Sequence, residues 1–148
     1  MNYRHSASFG KRMEYYLIGL MLKEGLDCYI PMVDDDGIDV VIRKNDGNFI
    51  AVQIKARSNE VAFGDAALFA AIPHPIVRPN YFFVFYSERI DKMWILSSEE
   101  YRNECVIIKT GINQGKTSIK LNGVRKDKEY PLERFSQYLA SDFSRFKT

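Results

Sequence analysis

The segment from Ile38 to Ala56 constrains the fold more than any other part of the chain, because only one strand pairing keeps its polar and apolar residues apart. Two β-rich runs, Ile38-Asp39-Val40-Val41-Ile42 and Ile50-Ala51-Val52-Gln53-Ile54-Lys55, flank Asn45-Asp46-Gly47. A three-residue loop closed by a left-handed glycine sets Lys44 opposite Asn48, and therefore Asp39 opposite Gln53. Facing residues share one side of an antiparallel pair. Asp39, Gln53 and Lys55 then fall on one face, and Ile38, Val40, Ile42, Ile50, Val52 and Ile54 on the other. A two-residue Asp46-Gly47 turn would shift the pairing by one, set Asp39 against Ile54 and mix the faces, so the aliphatic pattern favours the first register.

A chain of 148 residues, 46% hydrophobic and 14% aromatic, fits one compact domain over residues 1–148 with a sizeable core. Its formal charge of +2 does not by itself mark a nucleic-acid binder, and a site carrying its own carboxylates would hide a basic surface in the total. Cys28 and Cys105 lie in strand-like runs without metal-type spacing, and read as buried thiols of a reducing compartment. The Met1 to Gly10 start is polar and the apolar runs are strand-sized, so neither a signal peptide nor a membrane span is expected. The expected location is cytoplasmic.

Periodicity predicts a helix from about Ser8 to Glu24, stopped by Gly25, and a short strand from Asp27 to Val33 interrupted near Pro31. After the hairpin, Arg57 to Ala62 reads as a loop and the Ala-rich Asp65 to Ile72 as a short helix ended by Pro73. Tyr81 to Tyr86 is a continuous aromatic and β-branched run typical of a buried strand. Met93 to Leu96 gives a further strand, Ser97-Ser98-Glu99-Glu100 a helix start, and Val106 to Lys109 and Thr117 to Leu121 two more strands. Pro131 is expected to open a final helix with Leu132, Phe135, Leu139 and Phe143 on one side. The order is α-β-β-β-α-β, without the regular alternation or glycine-rich phosphate loop of a dinucleotide-binding fold.

Hard divalent cations are held by a few carboxylate oxygens, and Asp39 in the hairpin offers one. Gln53 adds a neutral oxygen, and Lys55 a charge suited to a phosphate. At Gly37-Ile38-Asp39 and Gln53-Ile54-Lys55 the chain resembles the PD-(D/E)XK nuclease superfamily, in particular the QxK variant of Mrr-like restriction enzymes. The resemblance implies an α/β fold with a restriction endonuclease-like α-β-β-β-α-β core, a mixed central sheet flanked by helices, and extra C-terminal strands and a helix. It implies Glu14, Asp39, Gln53 and Lys55 as catalytic residues, with Asp39, Glu14, Gln53 and the backbone carbonyl of Ile54 around Mg2+ or Mn2+. It further implies endonucleolytic hydrolysis of DNA, RNA not being excluded, with a homodimer or a targeting partner to reach two strands. The alternative is a nuclease-fold binding or assembly protein that has lost its metal, with Gln53 as the trace.

Ile38 stands where the family has proline, and glutamine replaces the commoner carboxylate at 53. Gln53→Glu is expected to tighten metal binding, since nothing else in the hairpin must move. Asp34-Asp35-Asp36 reads as a solvated turn, with Asp36 within reach as an outer ligand. His5 and His74 read as a tail and a loop residue, and Trp94 and the Tyr81 run as core. Lys109, Lys116, Lys120, Arg125, Lys126 and Lys128 give the C-terminal half a basic bias, interrupted by Asp127, Glu129 and Glu133.

Overall fold

The computed structural model describes residues 6–148, and His5 lies outside them. Helix α1 (Ser6–Lys23) ends where the glycine signal places it. Gly25 takes φ +89°, its N–H donates to the Leu22 carbonyl, and the Leu26 N–H donates back to Met21 at 3.0 Å. Met21 and Leu26 are both buried, which completes a Schellman ending with its apolar contact. Strand β1 (Asp27–Tyr29) is shorter than the run to Val33 suggests, as Pro31 cannot continue a ladder.

Strands β2 (Val40–Arg43) and β3 (Phe49–Arg57) form the expected hairpin, with Val40 facing Val52 and Ile42 facing Ile50. The Lys44 N–H donates to the Asn48 carbonyl at 2.7 Å, and Gly47 has φ +87°. Strands β4 (Leu68–Ile72), β5 (Tyr81–Ser87) and β6 (Lys92–Ser97) follow, then α2 (Ser98–Glu104), entered through a capping box between Ser97 and Glu100. Beyond it come β7 (Val106–Ile107), β8 (Thr117–Lys120), β9 (Asn122–Arg125), β10 (Lys128–Pro131) and β11 (Leu139–Ala140).

The central sheet runs β1-β2-β3-β5-β6-β11, with β3 and β5 parallel and the other neighbours antiparallel. It is a mixed sheet in an α/β fold, flanked by helices and extended by C-terminal strands. Alternation along β5 sends Phe83 and Phe85 into one apolar layer and Val84 into the other. The α1 layer buries Leu17, Ile18 and Met21 on Val40, Ile42, Val52 and Ile54. The opposite layer gathers Phe69, Ile72, Trp94, Tyr101, Ile119 and Leu121. Among the described residues, no helix is long and apolar enough to cross a membrane.

Three expectations are corrected. Asp65 to Ile72 is a turn followed by strand β4, not a helix, because Phe69 pairs with Ile119 and Ile72 with Thr117, burying two large side chains that helical propensity alone does not weigh. The final helix is replaced by a 3-10 turn at Glu133–Tyr138, the β11 pairing with Met93 and Trp94, and a second 3-10 turn at Ser144–Phe146. Phe135 and Tyr138 belong to one apolar layer and Phe143 and Phe146 to the other, so the chain must cross the sheet edge there, which one continuous helical face cannot do. Cys28 and Cys105 are free but only partly buried, the first on an edge strand and the second capping α2. His74 lies in the loop after β4, as expected, and is buried there at 2% exposure, with its Nε2 2.6 Å from Ser98 Oγ.

Candidate active site

Asp39 sits one residue before β2, where the ladder with β3 ends at Val40 and Val52. Its N–H donates to the Val52 carbonyl at 2.9 Å, and its Oδ2 accepts from the Ile54 N–H at 2.7 Å. The side chain thus satisfies a strand amide that β2 no longer reaches, which fixes the carboxylate at the sheet edge. The carbonyl of Ile54 points to the same side of β3 as its N–H.

Glu14 approaches this edge from α1 and Asp34 from the loop before β2. One carboxylate oxygen from each of Glu14, Asp34 and Asp39 lies within 4.8 Å of the others. Glu14 is 19% exposed and paired with Lys11 at 3.0 Å, whereas Asp34 faces solvent. Burial pushes the Asp39 carboxyl up to about 7; the negative charges of Glu14 and Asp34 push the same way, against the Ile54 N–H, which lowers it. Crowded carboxylates of this kind suit either a shared proton or a hard cation, and an all-oxygen donor set fits magnesium or manganese. The three carboxylates open on a cleft of about 180 Å³ lined also by Lys11, Tyr15, Ile18 and Ile38.

Gln53 is half-buried on β3 and turned toward β5, with its Oε1 3.0 Å from the Tyr81 hydroxyl. That hydroxyl also donates to the Gly37 carbonyl. Lys55 is half-buried two residues further along the strand, facing Phe85 in the ladder. Neither Gln53 nor Lys55 lines the carboxylate cleft. Glu14 and Asp39 are therefore brought together directly, while Gln53 and Lys55, paired with Phe83 and Phe85, stand on the face of β3 turned away from α1.

Asp34 enters the cluster although the acidic run reads as a solvated turn, and Asp36 is engaged elsewhere. Arg78 donates to the Asp36 carbonyl at 2.9 Å, pairs with its carboxylate at 3.0 Å, and lies 4.2 Å over the Tyr81 ring. Three adjacent aspartates differ only in backbone direction, which no sequence pattern resolves. Arg78 and Tyr81 carry no motif, and only the parallel pairing of β3 with β5 reveals their proximity to Gln53.

By sequence, the chain matches no protein-family model and no curated protein. By structure it is similar to a nuclease. One such neighbour is a bacterial homing endonuclease, I-Ssp6803I, superimposing with a TM-score of 0.56 over 93% of this chain and 89% of that chain, at 16% sequence identity. At that identity the likeness concerns the fold.

Proposed function

We propose that this chain is a divalent-metal-dependent nuclease of the restriction endonuclease-like type that hydrolyses DNA phosphodiester bonds. The observation that carries the reading is the convergence of Glu14, Asp34 and Asp39, from a helix, a loop and a strand start, with Asp39 held by the Ile54 amide. The endonuclease fold of the structural neighbour supports it. Those three carboxylates would hold magnesium or manganese, with Gln53 and the Ile54 carbonyl as neutral oxygens from the adjoining strand. Such a cation, when bound, neutralises phosphate charge and acidifies water. The chain itself contributes a preset Asp39, whose hydrogen bond to Ile54 removes the need to reorient it, and Lys55, whose ammonium can meet charge developing on the phosphate. A duplex presents two strands, so a second copy or a targeting partner belongs to the proposal.

Incubation with plasmid, single-stranded and branched DNA, and with RNA, in magnesium, manganese or EDTA tests this reading. Metal-dependent DNA cleavage is expected, and is lost in Asp39→Ala and Lys55→Ala proteins that still fold. Undiminished cutting by Asp39→Ala ends the proposal, and cutting confined to RNA moves the substrate class.

A further inference from the structure

Tyr81 has one phenolic proton and two acceptor oxygens beside it. It donates to the Gly37 carbonyl, and Gln53 Oε1 stands 3.0 Å from the same hydroxyl. One proton cannot serve both, and a phenol oxygen facing an amide oxygen without a proton between them is repulsive. A glutamine resolves the conflict by a half-turn of its terminal amide, which exchanges nitrogen and oxygen with almost no change of shape. Nε2–H then donates to the Tyr81 oxygen, and Oε1 becomes the outward acceptor of the side chain.

The surroundings hold this arrangement tightly. Tyr81 is 3% exposed, and Arg78 covers its ring while binding Asp36. Gly37 has φ +65°, and a Cβ there would stand 3.2 Å from the Tyr81 hydroxyl and 3.4 Å from Gln53 Nε2, so this close approach of the backbone depends on the lack of a side chain.

We propose that Tyr81 is a positioning residue of the site: it orients the Gln53 amide with the oxygen outward and so makes position 53 selective for glutamine over glutamate. The catalytic consequence rests on the nuclease reading above; the hydrogen bond does not. The ionised carboxylate introduced by Gln53→Glu would offer only acceptors to a hydroxyl whose proton is committed to Gly37. Either the two oxygens repel, or the phenol abandons Gly37 and loosens the loop that carries Asp34. The sequence-based expectation that Gln53→Glu tightens metal binding considers the hairpin alone, and the obstacle comes from β5.

Tyr81→Phe keeps the packed ring and removes the hydroxyl. The first measurement is the side-chain amide region of a 1H–15N spectrum recorded in EDTA, where the exposed Gln114 and Gln137 serve as internal references. The Gln53 NH2 pair is expected to be shifted and slow to exchange in the wild type, and to move toward the reference positions in Tyr81→Phe. The second is a double-mutant cycle read by manganese calorimetry. With Tyr81 present, Gln53→Glu is expected to lose about tenfold in affinity, and in the Tyr81→Phe background less than about twofold. An unchanged Gln53 signal in Tyr81→Phe overturns the proposal, as does tighter manganese binding by Gln53→Glu with Tyr81 intact. A wild type that binds no manganese at millimolar concentration, yet loses the Gln53 signature in Tyr81→Phe, overturns the nuclease reading and leaves the pairing standing.

Discussion

At Asp39 a structural and a chemical demand meet in one carboxylate. It completes the β3 ladder by accepting from Ile54, and it is pressed toward Glu14 and Asp34, whose charges oppose its own. Asp39→Asn keeps an oxygen for the Ile54 amide and removes one of three crowded charges. In EDTA the variant should therefore melt at or above the wild-type midpoint. Manganese should stabilise only the wild type, by about 1.4 kcal/mol at a tenfold excess over Kd. A variant that melts well below wild type in EDTA, or responds equally to manganese, would contradict this account. His74, stacked on the Tyr81 ring, supplies a pH test of the fold. Burial, helped by Arg78 and Arg102, lowers its pKa from 6.5 to about 4. The unfolded chain then takes up the proton first as pH falls, so this contribution to stability is complete above about 6.5 and is lost on descent to about 4, to a total of about 3 kcal/mol. Acid titration of wild type against His74→Gln should show the wild type losing more stability across that window. The β2-β3 register was legible in the sequence because it has one solution, but Ile38 packs with the Trp94 layer and not with Val40 and Ile42 as that pattern suggests, and the places of Asp34 and Tyr81 depend on a loop path and a parallel pairing between segments far apart.

Elements whose pattern is internal to one segment were the ones the sequence disclosed. Helix α1 announces itself by apolar spacing and Gly25, and the β2-β3 hairpin by alternation and Gly47. Strand β4 and the C-terminal turns obey partners instead: Ile119 and Thr117 draw Phe69 and Ile72 into a ladder, and two apolar layers divide Phe135 from Phe143. The β9-β10 ribbon shows the same dependence, because its turn is built from Lys126 and Asp127, both at positive φ (51° and 59°) with no glycine to signal it. A two-residue hairpin of this kind is the I′ geometry that Asn-Gly adopts without strain. Lys126→Asn with Asp127→Gly should raise stability by roughly 1 kcal/mol in urea unfolding while leaving the β9 register unchanged. A loss of stability would show that the lysine and aspartate side chains do more than turn the chain.

Across the whole molecule, the two apolar layers are not separable bodies, because each is built on one face of the same strands. Val84 and Ile95 serve the α1 layer while Phe83, Phe85, Trp94 and Leu96, interleaved with them on β5 and β6, serve the other. The C-terminal segment then ties both, with Phe135 and Tyr138 on one side and Phe143 and Phe146 on the other, and the Phe143 N–H donating to Glu24 beyond the end of α1 at 3.0 Å. Loss of either layer exposes the back of the sheet that supports its partner, so partial unfolding carries most of the cost of complete unfolding. We therefore expect one cooperative transition for the chain, with calorimetric and van't Hoff enthalpies equal and with α1 and the Trp94 layer reporting the same midpoint. Fluorescence of Trp94, the sole tryptophan, follows the second layer, while far-ultraviolet dichroism weights α1. Glu24→Gln and Phe146→Ala should lower both midpoints together, the latter by about 3–5 kcal/mol as a buried aromatic is truncated. Two separated transitions, or a variant that shifts the dichroism midpoint while leaving the tryptophan midpoint in place, would divide the chain into independent units.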